Sequence, residues 1–142
     1  MKINEIITEG STSKSTLFRD LKWLRPVFVM GAQRIYDRWN RKGYGDGICD
    51  DIAVRFTNIL NKNIKKFGAR AERYGRNKAG THAFAVVYND TESYAIDIPY
   101  WKYELGNNRY GWKKIDGVKF TEEDVRIFKI ARLSWMDYYE SE

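Results

Sequence analysis

The chain has 142 residues, 43% of them hydrophobic, 15% aromatic and 31% charged, a size and balance that fit one compact domain and leave little room for a second. It contains one cysteine, Cys49, and one histidine, His82. That scarcity excludes an intramolecular disulfide, a zinc site built from several Cys and His ligands, and a CxxC redox or haem-attachment motif. With 25 Lys and Arg against 19 Asp and Glu the net charge is +6, which favours acidic partners without naming one.

The longest apolar stretches, Val27 to Ala32 and Ala83 to Tyr88, fall far short of the roughly 20 residues that cross a bilayer. Met1 to Glu9 interleaves Lys2, Glu5 and Glu9 with Ile3, Ile6 and Ile7, unlike the continuous apolar region of a secretory signal. A soluble, cytoplasmic protein without membrane association is expected, in a reducing compartment where a free thiol survives.

Residues 1–16 read as a leader and linker. The run Gly10 to Thr16, GSTSKST, is too polar and small to bury apolar surface. A single domain is expected over 17–142. Leu17, Leu21 and Leu24 recur at helical spacing up to Pro26. A second helical segment follows from Val27 to Asn40, with Val27, Met30, Ile35 and Trp39 among its apolar positions. Gly43, Gly45 and Gly47 then break the pattern just before Cys49. From Cys49 to Phe67 the apolar residues fall in steps of three and four, which predicts a helix with one buried face and Gly68 as its stop. Asp50 and Asp51 in its first turn suit the positive end of the helix dipole, a reading preferred to a metal pair.

After Gly68 the pattern becomes β-like, with strands expected at Ala69 to Tyr74, His82 to Tyr88 and Ser93 to Ile98, the last two as an antiparallel hairpin. A tight turn would set residue numbers summing to about 180 opposite one another, within one residue of pairing Asp97 with His82. Trp101 to Gly117 reads as loop with one strand at most. Thr121 to Asp124 resembles a helix start, leaving Val125 to Ile130 open as helix or strand. Lys62, Lys65, Lys66, Arg70, Arg73, Arg76 and Lys78 form a basic run that reads first as a solvated face and second as a weak nucleic-acid contact. Tyr100, Trp101, Tyr103, Tyr110 and Trp112 fit a substrate cleft or an aromatic mini-core equally well.

A cysteine at the start of a buried helix has its thiolate favoured by free backbone N–H groups, so a lowered pKa and a nucleophilic role are expected for Cys49. His82 would take the thiol proton, and Asp97 would orient the ring. No cofactor and no metal are assigned.

The order and spacing of G-I-C-D-D-I-A (Gly47 to Ala53), G-A-R-A (Gly68 to Ala71), H-A-F-A-V-V-Y (His82 to Tyr88) and Y-A-I-D-I-P (Tyr94 to Pro99) resemble the core of the transglutaminase-like cysteine peptidases. The resemblance covers Gly43 to Tyr100 and implies an α+β, papain-like fold, with a Cys-bearing helix packed on an antiparallel sheet carrying His and Asp. It implies a catalytic triad of Cys49, His82 and Asp97 acting through a thioester on a protein or peptide substrate. Phe84 stands where the family often has Trp, and Trp39 and Tyr44 are candidates for the oxyanion partner. Hydrolysis of a peptide or amide is the first reading; transglutaminase or deamidase chemistry on protein glutamine is the second. The head MKINEIITEG is similar to the capsid-targeting leaders of internal head proteins in large tailed bacteriophages, with a cleavage-like site before Gly10. That implies packaging in the virion and delivery into a host cytoplasm. It also keeps open a non-catalytic, basic, nucleic-acid-associated head protein.

Overall fold

A computed structural model describes residues 11–40, 47–64, 68–75, 81–88, 92–105 and 113–130. It is an α+β arrangement: three helices pack on a four-stranded antiparallel sheet. The leader before Ser11, Tyr44, Tyr110, Trp112 and the tail from 131 onward lie outside the described residues, as does most of the basic run.

Helix α1 spans Ser11–Trp23 and α2 spans Arg25–Asn40. The polar run expected as linker is therefore helical from Ser11, continuous with a segment whose Leu17 and Leu21 are buried in the core. Tertiary packing of a downstream face outweighs weak local propensity. The two helices meet at Leu24, whose N–H reaches the carbonyls of Asp20 and Leu21 at 3.2 and 3.1 Å. Pro26 sits in the first turn of α2, where its missing N–H costs little.

On α2 the buried positions are Phe28, Gly31, Ala32, Ile35 and Tyr36, a 3.6-residue stripe. Val27 and Met30, expected on that stripe, are exposed. Only small residues let α3 approach closely here: a Cβ added at Gly31 would lie 2.9 Å from Arg55 Cγ and 3.2 Å from Ile59 Cδ1. The rings of Phe28 and Phe56 meet across the same interface at 4.9 Å.

Helix α3 spans Ile48–Asn63 and buries Ile48, Cys49, Ile52, Ala53, Phe56 and Leu60. It ends earlier than its apolar pattern suggests. Ile64 leaves the helical conformation while its N–H still bonds Leu60 O at 2.8 Å, and Gly68 opens the first strand rather than stopping the helix.

Strands β1 (Gly68–Gly75), β2 (Thr81–Tyr88), β3 (Ser93–Asp97) and β6 (Arg126–Ile130) form the sheet in that spatial order. Between β3 and β6 lie a 3-10 turn at Tyr100–Lys102, a two-residue ribbon of β4 (Glu104–Leu105) with β5 (Lys113–Lys114), and a second 3-10 turn at Glu122–Asp124. The Thr121 signal does open that last turn, its N–H donating to Asp124 Oδ2 at 2.8 Å. The helix stops there because Val125 and Ile127 are buried on one side while Arg126 and Phe128 face the other, a period of two. β6 pairs antiparallel with β3.

The sheet is covered on both faces. Ala83, Ala85, Val87, Tyr94, Ile96 and Ile127 join the helices in the main core, while Phe84, Val86, Ala95 and Ile130 form a smaller cluster on the opposite face. This is why HAFAVVY reads as an unbroken apolar run. No helix among the described residues is long and apolar enough to cross a membrane.

Candidate active site

Gly47, with φ of +101°, turns the chain into α3. A side chain there would be strained, and its Cβ would stand 3.0 Å from the Trp39 ring. The turn sets Cys49 as the second residue of α3, 7% exposed, against β2, which carries His82. The Cys49 sulfur accepts a hydrogen bond from the backbone N–H of Ala83, the residue after His82.

His82 is fully buried and Asp97 nearly so. The ring Nε2 lies 3.0 Å from both Asp97 carboxylate oxygens. A carboxylate only accepts, so Nε2 carries the hydrogen and Nδ1 is left as the ring's basic nitrogen. The hairpin register differs from the expected one by a single residue. Ala85 pairs with Ile96 and Tyr88 with Ser93, so numbers sum to 181. Continuing that register, Asp97 stands across from Phe84, diagonal to His82 on the same face, a spacing that long side chains bridge.

By strand alternation this is the Phe84 face, whereas α3 packs on the Ala83 face. His82 and Asp97 therefore share the Phe84 face, while Cys49 belongs to the helix-side core with Ala83. Tyr100, packed against the helix-side core, brings its ring to 5.9 Å from the His82 ring. Trp101 leans edge-on against Tyr100 at 5.2 Å and is 41% exposed. Tyr103 is fully buried. The aromatic segment thus divides: Tyr103 is core, and Tyr100 and Trp101 run from the site to the surface.

Electrostatics at Cys49 overturn the expected lowered pKa. Burial is the largest influence and pushes the thiol up to about 12, and the charges of Glu104, Asp50 and Asp97 act in the same direction; the Ala83 N–H opposes them. The helix start is outweighed because the sulfur is out of water and near three carboxylates. Glu104, buried on β4, is a neighbour that sequence reasoning missed. Its position depends on the β4–β5 ribbon, which has no periodic signal.

Trp39 is committed elsewhere than to an oxyanion: its indole N–H donates to Asp51 Oδ2 at 2.7 Å. This bond ties α2 to the first turn of α3 and gives Asp51 a structural role. Of the basic run, Lys62 is exposed, and the Arg70 guanidinium lies 5.0 Å over the Tyr88 ring.

No family model, curated protein or solved structure matches the chain.

Proposed function

We propose that the protein is a thiol acyl-transfer enzyme, a cysteine peptidase or amide hydrolase of the transglutaminase-like type with a papain-like core. One observation carries the reading. In a chain with a single cysteine and a single histidine, the thiol bonds the backbone N–H next to a buried histidine that is itself held by a carboxylate.

The raised thiol pKa defines how the chemistry runs. Cys49 rests protonated, so His82 Nδ1 must take the S–H proton as the sulfur attacks the substrate carbonyl carbon. The carbonyl π electrons move to oxygen, where the Cys49 backbone N–H at the start of α3 is a candidate donor. As the tetrahedral adduct collapses, the C–N bond breaks and the imidazolium returns its proton to the departing amine, leaving a thioester. Water then attacks with its proton going to His82, the C–S bond breaks, the thiolate recovers the proton, and a carboxylic acid is released. Asp97 stabilises the imidazolium in both halves. Capture of the thioester by an amine instead of water gives a transglutaminase, and water acting on a glutamine carboxamide gives a deamidase.

The second reading, a non-catalytic basic protein associated with nucleic acid in a phage head, is favoured by the burial and high pKa of the same thiol. Iodoacetamide labelling at pH 7, followed by intact mass, separates the two. The enzyme reading expects Cys49 to label at least about a hundredfold faster than in His82→Ala, the lower end of general-base assistance. Equal rates in the two proteins, with DNA binding that falls steeply with salt, would sink it.

A further inference from the structure

We propose that the groove between helix α1 and the 3-10 turn at Glu122–Asp124 binds single-stranded nucleic acid. It encloses about 520 Å³ and is lined by Phe18, Arg19, Lys22, Trp23, Pro26 and Glu122, a volume suited to a group the size of a nucleotide. Arg19, Lys22, Trp23 and Pro26 follow one another at i, i+3, i+4 and i+7, so one helical face supplies the floor from α1 into the first turn of α2. Trp23 is 77% exposed, the highest value among the large apolar side chains of the described residues. An indole that open to water adds little to the core and offers a ring face for stacking.

The chemistry of the lining selects the guest. Among the described residues Arg19 and Lys22 form no ion pair, and the Lys22 ammonium lies 5.2 Å over the Phe18 ring. Two cations against the one carboxylate of Glu122 favour an anion, and a chain of net charge +6 favours a polyanion. Aromatic rings beside cations suit a single strand, whose bases present open π faces while its phosphates meet the charges; a duplex hides those faces. The Glu122 carboxylate can accept from the N–H groups of a base edge, but it repels the side chains of an acidic peptide and the headgroups of an anionic bilayer. A second copy of this chain is disfavoured by its own positive charge. The groove shares no residue with the Cys49 site, so the proposal survives failure of the acyl-transfer reading.

A fluorescein-labelled strand of twelve deoxythymidines is the probe, followed by anisotropy at several salt concentrations. Trp23→Ala should weaken binding at least about fivefold, the lower end for one base stacked on an aromatic side chain, and Trp23→Phe should restore part of it. The double variant Arg19→Gln with Lys22→Gln should make the slope of log affinity against log salt shallower by about 1.4, at about 0.7 for each phosphate contact on a single strand. Lys62→Gln, on α3, should leave that slope unchanged. All four positions are exposed, and circular dichroism checks each variant for the native fold. The proposal is overturned by equal affinity for the strand and its duplex with deoxyadenosine, by wild-type affinity in Trp23→Ala, or by a Lys62→Gln effect on the slope as large as that of Lys22→Gln alone. Tighter binding of a glutamate-rich peptide or of phosphatidylserine vesicles than of the strand also overturns it, as does self-association, read by sedimentation, that Trp23→Ala abolishes.

Discussion

Cys49 and the residues around it are fixed by constraints that differ in kind. Gly47 is conformational: its φ of +101° and the Trp39 ring 3.0 Å from its missing Cβ leave no room for another residue. Gly47→Ala should lower stability by about 1–3 kcal/mol in urea unfolding, and because the same turn sets the first residues of α3, it should also change the rate at which Cys49 is labelled. Asp97 is a protonic constraint. Asparagine preserves its volume, but its amide can donate to Nε2 and so hold the hydrogen on Nδ1, the wrong tautomer for a base. Asp97→Asn is therefore expected to label Cys49 nearly as slowly as His82→Ala, while retaining native circular dichroism; labelling at the wild-type rate would remove Asp97 from the mechanism. The types of these residues were legible in the sequence, because one Cys and one His admit no substitutes. The sign of the thiol's pKa shift was not, since it depends on burial and on Glu104, which the fold brings from more than fifty positions away.

Helices α2 and α3 show why periodicity reveals some elements better than others. Eight apolar residues at regular spacing disclose α3 and its buried face, although not its end. In α2, valine and methionine are solvent-facing while glycine and alanine are buried, so ranking residues by hydrophobicity misplaces the stripe by about a quarter turn. The ribbon of β4 and β5 and the segment 115–120 after it carry no pattern because polar contacts from α2 hold Lys114 and that segment. Tyr36 Oη donates to Ile115 O and accepts from the Val118 N–H at 3.2 Å. Gln33 bonds Val118 O and the Phe120 N–H at 3.1 and 2.9 Å, and Lys114 Nζ donates to Asn40 and Asp116 at 2.7 Å each. Tyr36→Phe keeps the ring and leaves one part-buried carbonyl and one part-buried N–H without this partner. A loss of about 1–3 kcal/mol is expected, with faster hydrogen exchange at 115–118 than elsewhere in the fold as the mark of a local clamp.

At the scale of the whole molecule, three buried groups among the described residues titrate with the same sign. Burial and nearby carboxylates raise Cys49 from 9.0 to about 12, and burial together with the charge and hydrogen bond of Glu92 raises Tyr94 from 10.0 to about 12. For Lys114 burial works downward, but Asp116 and Tyr36 outweigh it and the net direction is upward from 10.5. In each case the folded protein holds its proton after the unfolded chain has released it. The native state then binds more protons, and stability falls as pH rises. The decline should begin near pH 9, where the cysteine of the unfolded chain ionises, and steepen above 10 as the tyrosine and lysine of that chain follow. Between pH 9 and 10 the loss from Cys49 alone is about 1 kcal/mol, a step that Cys49→Ala should abolish while leaving the steeper fall above pH 10. Urea unfolding from pH 7 to 11 reads both regions. An identical slope for the two proteins between pH 9 and 10 would mean that the thiol ionises as readily in the native state as in the unfolded one, so that burial does not raise its pKa.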